Sequence, residues 1–132
     1  MLDLLFAAIC AVESGNNPNA VGDNGKAVGI VQMWTVTVND CNRIIGHHKW
    51  TYQDRLDPAK CREMFQLYLE YYCGKDATPE QYARVWNGGP NGCSKPATLH
   101  YWAKVKAELE RPKPAIEPPV PACEAAQATP RS

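Results

Sequence analysis

The first clear hydrophobic pattern in the chain runs from about Leu4 to Ser14. Its apolar residues lie almost all round a helix, which predicts a central and buried helix. Asp3 precedes this segment as a candidate N-cap, and Gly15 follows it as the residue type that most often ends a helix in the left-handed conformation. We therefore expect a buried helix whose last turn carries Glu13.

Three later helices are predicted, the first from apolar residues spaced three and four apart and all three from start or stop signals. They span residues 58–73, residues 79 to about 86, and a last segment that starts at Pro96 or Ala97 and ends at Glu110. Asp57 and Pro58 are an N-cap followed by a proline in the first turn. Thr78-Pro79-Glu80-Gln81 has the form of a capping box. Gly74 and Pro112 are expected to end the first and last of these helices.

The segments after the first helix are less regular. Asp23-Asn24-Gly25 is a turn signal, and residues 27–33 predict a short extended segment. Residues 34–45 are rich in β-branched types, which favour a strand. Thr35 or Thr37 could equally cap a helix that reaches Ile45, and we predict the helix. The resulting fold class is mainly α (α+β), with a small extended or hairpin region after the first helix.

The end of the chain differs in composition from the rest. Residues 112–132 contain six of the eleven prolines and show no helical period. This predicts a Pro-rich flexible tail. We therefore divide the chain into a single domain over residues 1–111 and a tail over residues 112–132. A domain of this length can bury a hydrophobic core.

Charge and hydropathy give no support for several classes of partner. Among the 132 residues, Lys plus Arg and Asp plus Glu number 14 each. This balance offers no electrostatic basis for binding nucleic acid or an anionic membrane. The apolar run in the first helix is shorter than the roughly 20 residues of a transmembrane helix and has no basic leader before it. We expect a monomer without a transmembrane segment.

Six cysteines are many for so short a chain: Cys10, Cys41, Cys61, Cys73, Cys93 and Cys123. An even number permits a disulfide framework, which would suit a periplasmic or extracellular protein. Buried free thiols that pack as small hydrophobes are the alternative, and both remain open. Cys61 and Cys73 lie on one predicted helix about 18 Å apart, so they are not expected to bridge each other.

Three short segments together carry a resemblance. Glu13 ends the first helix in Val-Glu-Ser-Gly, Gly-Ile-Val-Gln-Met occupies residues 29–33, and Trp-Asn-Gly-Gly-Pro occupies residues 86–90. This combination resembles the lysozyme-like superfamily, specifically the catalytic domains of lytic transglycosylases and goose-type lysozymes, over roughly residues 4–109. The resemblance implies a lysozyme-like helical domain that cleaves the MurNAc–GlcNAc β-1,4 linkage of peptidoglycan.

The setting of Glu13 suits the acid that this cleavage needs. A general acid must still be protonated near neutral pH to protonate the leaving oxygen. Burial after a long apolar run raises the pKa of a carboxyl, and the negative end of a helix dipole acts in the same direction. Glu13 is therefore the predicted catalytic residue, although a solvated glutamate at a helix end is common.

The other two segments supply the predicted substrate-binding residues. The Gln32 amide can both donate and accept, which suits an N-acetyl group or a sugar, and Met33 is expected to pack beneath it. In the second motif Trp86 replaces the tyrosine usual in the family, so Tyr82, one turn earlier, is a candidate for the missing hydroxyl. The predicted binding set is Gln32, Met33, Tyr82, Trp86, Asn87 and Gly88.

Asp23 separates two mechanisms. If it faces the cleft at roughly 6.5–9.5 Å from Glu13, the pair could serve an inverting hydrolase. If it only closes the Asp-Asn-Gly turn, Glu13 acts alone, as the resemblance implies for a lytic transglycosylase that forms 1,6-anhydromuramyl ends. The sequence favours the transglycosylase, with a muramidase using Glu13 and Asp23, or a non-catalytic glycan-binding relative, as the alternatives.

No cofactor or metal is predicted. His47 and His48 are adjacent and lack an acidic partner at helical spacing, so they are expected to lie in a solvated loop. The predicted partner is the glycan strand of peptidoglycan. The expected location is periplasmic or extracellular, or that of a phage-encoded endolysin acting on the host cell wall.

Overall fold

The structure, a computed structural model, describes residues 2–112. Helices dominate this part of the chain and a two-stranded hairpin accompanies them, which confirms the predicted fold class. The helices are α1 (Leu2–Ser14), α2 (Thr35–Ile45), α3 (Pro58–Cys73), α4 (Pro79–Gly88) and α5 (Ala97–Glu110), and the strands are β1 (Val21–Gly22) and β2 (Ala27–Val28). The expectation of a flexible tail falls on residues that lie almost entirely outside the described range.

Helix α1 is the centre of the core and packs against α3, α4 and α5. Leu5, Ala8, Ile9 and Cys10 are buried, as predicted, but one face is open and Leu4 is 59% exposed. The all-round apolar pattern therefore overstated the burial of this helix. The prediction that Asp3 caps the helix was also wrong. Asp3 lies inside α1, and its carboxylate accepts a hydrogen bond from the Arg62 side chain of α3.

The start signals of α3 and α4 act as predicted. The Asp57 carboxylate accepts hydrogen bonds from the backbone N–H groups of Ala59 and Lys60. Thr78 and Gln81 satisfy each other's backbone N–H groups at 3.1 and 2.8 Å. Helix α4 continues two residues past the predicted end at Trp86. Gly89, which has a φ of 86°, follows the last helical residue.

The helix predicted over residues 34–45 is present as α2, although its cap differs from the prediction. Thr35 and Thr37 lie inside the helix, and extended Trp34 precedes it without a side-chain cap. Val38 and Cys41 face the core, and Gly46 ends the helix with a φ of 83°. Burial of one apolar face therefore outweighs the strand preference of the β-branched residues.

The hairpin is shorter than the predicted extended segment. Strands β1 and β2 pair antiparallel, Val21 with Val28 and Gly22 with Ala27. The chain then turns over residues 29–32 instead of staying extended, and Met33 returns to bridge Val28. The turn places Gln32 at a φ of 52°, a conformation that is uncommon for a residue with a side chain. The prediction of one extended segment through residue 33 was therefore wrong beyond Val28.

The five cysteines in the described range are free thiols, and three of them, Cys10, Cys41 and Cys61, are buried. These three buried thiols pack in the core as small hydrophobes, which is one of the two alternatives drawn from the sequence. Cys61 and Cys73 share α3 and do not bridge, as expected. Within residues 2–112, none of the helices has the length and apolar character needed to span a membrane.

We expect Gly29→Ala to destabilise the fold strongly. Gly29 has a φ of +91°, and an added Cβ would lie 1.8 Å from the backbone oxygen of Arg55. Gly25→Ala is the matched control, because Gly25 has a φ of +90° with nothing within 4 Å of the added Cβ. The control should lose about 1–2 kcal/mol from strain alone. Gly29→Ala should lose clearly more in chemical denaturation, and equal losses would contradict the close approach.

Candidate active site

Four separate segments of the chain meet at a cleft of about 410 Å³. The end of α1, the hairpin with its following turn, the start of α2 and the end of α4 each contribute part of the wall. The lining residues are Glu13, Gly22, Asp23, Gln32, Met33, Trp34, Thr37, Trp86 and Asn87. The structure thus brings together the predicted acid, the possible second carboxylate and four of the six predicted binding residues.

The position of Glu13 is fixed by the way α1 ends. Gly15 adopts a φ of 63° directly after the helix, and its N–H bonds to the carbonyl of Ala11. The hydroxyl of Ser14 donates to the carbonyl of Ile30 at 2.7 Å and so ties the helix end to the turn before Met33. These contacts fix the end of α1, which carries Glu13, beside the turn over residues 29–32.

The surroundings of Glu13 favour its protonated form. Burial raises the pKa of Glu13 to about 7, and the negative charge of Asp23 acts in the same direction. A hydrogen bond from Tyr101 and the charge of Lys104 oppose these effects. A carboxyl with this pKa keeps a large protonated fraction near neutral pH, as a general acid for glycoside cleavage requires.

Tyr101 was missed by the sequence analysis. It is buried on α5, and its hydroxyl donates to Oε2 of Glu13 at 2.8 Å. Burial and the neighbouring Glu13 hold the pKa of Tyr101 well above its usual value, so the hydroxyl remains a donor. Thr98, Tyr101 and Val105 share the buried face of α5. This spacing indicates that Tyr101 is buried, and a buried phenol hydroxyl needs a hydrogen-bond partner, so the sequence did contain a signal for its role.

We expect Tyr101→Phe to move the alkaline limb of the pH–rate profile to higher pH. The hydrogen bond from Tyr101 favours the ionised form of Glu13. Its removal therefore raises the pKa of Glu13 and keeps this acid protonated up to a higher pH. The rate at the optimum should fall less than about tenfold, since one hydrogen bond contributes about 1 kcal/mol. Tyr82→Phe is the matched control and should leave the profile in place. An unmoved limb in Tyr101→Phe would contradict the role.

Gln32 reaches the cleft, but its amide nitrogen is already bonded within the protein. Nε2 donates to the carbonyls of Ala20 and Gly29, each at 3.1 Å. A Cβ on Gly22 would lie 2.5 Å from Oε1 of Gln32, so the amide is packed closely against β1. Gln32 therefore braces the hairpin, and Oε1 is the atom left to face a ligand. A glycan would find an acceptor here rather than the donor and acceptor expected from the sequence.

The end of α4 provides another part of the cleft wall. Trp86 packs edge-on against Phe65 and Tyr68, with ring centroids 5.0 and 5.7 Å away, so only part of its indole faces the cleft. Asn87, next to it, is exposed and lines the same space. Met33 is 1% exposed and forms the floor, the packing role expected for it.

We expect Asn87→Ala to affect glycan binding alone, and Gln32→Ala to affect both the cleft and the stability of the hairpin. Asn87 is exposed, so its removal should weaken glycan cleavage at an unchanged melting temperature. Gln32→Ala removes two internal hydrogen bonds and should lose about 1–3 kcal/mol of folding stability as well as activity. Thermal melting and turnover of the same preparations test this, and an unchanged melting temperature for Gln32→Ala would contradict the bracing role.

Two predicted binding residues lie elsewhere. Tyr82 is 1% exposed, and its hydroxyl donates to the carbonyl of Gly74 at 2.6 Å. It faces the α3–α4 connection because that side of α4 is the buried one. Gly88 lies outside the cleft lining, and an added Cβ would meet Thr98 at 2.6 Å. Its function is the close packing of α4 on α5, and neither residue faces the cleft.

Asp23 lies on the rim of the cleft in a tight turn. The 3-10 helix Asp23–Gly25 connects β1 to β2, and the turn uses the backbone carbonyl of Asp23 to accept from Lys26. The turn therefore does not use the side chain of Asp23, which lines the cleft together with Glu13. Trp34 and Thr37 from the start of α2 complete this side and were not in the predicted set; Trp34 is 41% exposed.

The described residues contain no cluster of three or more His, Cys, Asp or Glu side chains that could hold a metal ion. His47 and His48 are exposed in the connection after α2.

A glutamate with a raised pKa in a cleft of this helical fold defines a lysozyme-like enzyme of the class that degrades peptidoglycan. The family model described as "Transglycosylase SLT domain" matches residues 2–108, and the chain belongs to that family.

Similar proteins are named lysozymes. The lysozyme of Ostrea edulis is 39% identical over 110 residues, which cover 79% of this chain and 78% of the relative. The lysozyme of Magallana gigas is 34% identical over 102 residues, covering 74% and 72%. The crystal structure of Tapes japonica lysozyme superposes with a TM-score of 0.66 at 27% identity, covering 78% of this chain and 86% of that one.

Proposed function

We propose that the protein is a muramidase that hydrolyses the MurNAc–GlcNAc β-1,4 bond of peptidoglycan with Glu13 and Asp23. The observation that carries this proposal is that both carboxyls line one cleft and that the charge of Asp23 raises the pKa of Glu13. The sequence alone favoured a lone glutamate, because the turn explained Asp23 without a catalytic role. The names of the relatives from Ostrea edulis and Magallana gigas support the hydrolytic alternative.

In this mechanism the two carboxyls have different roles. Glu13, kept neutral by burial, donates its proton to the glycosidic oxygen as the bond to the sugar C1 breaks. Asp23, exposed on the rim, orients a water molecule and accepts its proton as the water oxygen bonds to C1. The products are one chain with a new hydroxyl end and one with a reducing muramyl end.

A lytic transglycosylase is the second candidate, and the description of the matched family model favours it. In that reaction Glu13 protonates the glycosidic oxygen and then, as a carboxylate, accepts the proton of the muramyl 6-hydroxyl. The 6-oxygen bonds to C1, so the product carries a 1,6-anhydro ring and no water is added. Asp23 would then have no proton to accept.

Digestion of purified peptidoglycan in heavy-oxygen water distinguishes the candidates. Mass spectrometry should find reducing muramyl ends that carry one heavy oxygen. Anhydromuramyl ends without the label would contradict hydrolysis and support the transglycosylase. Binding to peptidoglycan without any new ends would overturn both enzymatic proposals and leave a glycan-binding protein.

The substrate also determines where such an enzyme acts. Glycan strands of the cell wall lie outside the cytoplasm, so the proposal includes an extracellular or periplasmic place of action. Fractionation of producing cells, with the protein assayed in the medium and each compartment, tests this part separately. Recovery of active protein only from the cytoplasm would contradict it.

A further inference from the structure

Lys26 lies in the connection between β1 and β2, next to three residues of the cleft wall. Its backbone N–H donates to the carbonyl of Asp23 at 3.2 Å. Its carbonyl and that of Met33 both accept from Nη1 of Arg55, at 3.4 and 3.1 Å. Its ammonium nitrogen lies over the ring of Trp34, 5.5 Å from the ring centroid. Asp23, Met33 and Trp34 all line the cleft, so Lys26 stands at its edge.

The charge of Lys26 is open to a ligand. Lys26 is exposed, and none of the ion pairs among residues 2–112 includes it. Arg55 is also cationic, but its Nε and Nη1 atoms donate to the backbone carbonyls of Tyr52, Lys26 and Met33. Arg55 therefore holds the backbone at this end of the cleft, while the ammonium of Lys26 keeps its capacity to pair with an anion.

Trp34 provides an apolar surface beside this charge. Its side chain is 41% exposed and lines the cleft, so part of the indole can meet the C–H face of a sugar ring. The contact between Lys26 and the indole is weak, and the lysine stem is flexible, so the ammonium can move off the ring. The negative charge of Asp23 would repel an anionic group on the sugar, and Lys26 offsets that repulsion.

We propose that Lys26 and Trp34 form a subsite for a sugar that carries a carboxylate. The sugar packs on the indole, and its carboxylate pairs with the ammonium of Lys26. Peptidoglycan offers such a group on the stem peptide or, where that peptide has been removed, on the lactyl group of MurNAc. The subsite rests on the proposed function, because the cleft must bind glycan strands, and it makes this end of the cleft selective for anionic over neutral glycans.

Equilibrium binding to the full-length Glu13→Gln protein tests the subsite without cleavage. The ligands are a soluble glycan strand with stem peptides, the same strand after an amidase has removed them, and a neutral β-1,4-linked GlcNAc oligomer. Adding Lys26→Gln should raise Kd about threefold for an anionic strand, the scale of one exposed ion pair, and leave the neutral oligomer unchanged. A rise with the first strand identifies the stem-peptide carboxylate, and a rise with the second identifies the lactyl carboxylate.

Three further variants separate charge from packing. Lys26→Arg should keep the preference for anionic strands, because the positive charge remains. Lys75→Gln is the matched control, since Lys75 is exposed between α3 and α4, does not line the cleft and changes the net charge equally. Trp34→Ala should weaken binding of all three glycans by a similar factor, because an apolar contact does not depend on the substituent.

The possible failures are distinguishable. An equal rise in Kd for neutral and anionic glycans in Lys26→Gln, or no rise with either anionic strand, would overturn the subsite and leave the proposed glycan binding in place. Failure of all three glycans to bind would overturn the subsite together with the proposed function. Higher salt should reduce the preference for anionic strands, since an exposed ion pair is screened, and a salt-independent preference would contradict the role of Lys26.

Discussion

Glu13→Gln should abolish glycan cleavage, with a loss in kcat/KM on the order of 10²-fold or more. The amide keeps the shape of the side chain and can still accept the hydrogen bond from Tyr101. It has no proton to give to the glycosidic oxygen. Clearing of a peptidoglycan suspension measures the rate, and circular dichroism checks that the fold is kept.

Glu63→Gln is the matched control for this substitution. Glu63 is an exposed glutamate on α3, and its contact within the described residues is a long ion pair of 3.9 Å with Lys49. The control should retain near-full activity. A Glu13→Gln protein that clears peptidoglycan at close to the normal rate would remove Glu13 from the mechanism.

Asp23→Asn should reduce hydrolysis by about 10²–10⁴-fold, the range typical of a group that transfers a proton. Asn tolerates the left-handed backbone, so the φ of 50° at this position remains accessible. The loss should therefore appear in turnover at an unchanged melting temperature. Asp76→Asn, an exposed aspartate between α3 and α4, is the control for a simple change of net charge.

The same variant also tests the second candidate. If Glu13 acts alone, Asp23→Asn should lose less than about tenfold, a barrier change under about 1.4 kcal/mol. A small loss accompanied by anhydromuramyl ends would overturn the two-carboxylate mechanism. A large loss accompanied by reducing ends in the residual product would support it.

Most of the helical fold could be predicted because its signals are local. Asp57 and Thr78 cap their helices with their own side chains, so a few neighbouring residues specify each start. The turn after β2 could not be predicted in this way. Gly29 sits against the backbone of Arg55, and the Arg55 guanidinium donates to the carbonyl of Met33, so a residue more than twenty positions away defines the local path.

The site shows the same division. Glu13, Asp23 and Asn87 were predicted from short motifs and line one cleft. Tyr101 was missed because its partner lies 88 positions away; its spacing with Thr98 and Val105 indicates burial but does not identify Glu13 as the partner. The assignment of Tyr82 failed for the related reason that a helix exposes only one side, and the sequence of α4 alone does not say which neighbour each side meets.

The hairpin has a consequence for how this type of enzyme can change. Glu13 lies on a core helix, whereas Asp23 lies in the turn that connects two strands of two residues each. Under the proposed mechanism, the choice between adding water and closing an internal ring depends on the smaller unit. Substitutions in the hairpin could therefore change the reaction product without disturbing the helical core. The type of product and the stability of the fold can then diverge independently among related sequences.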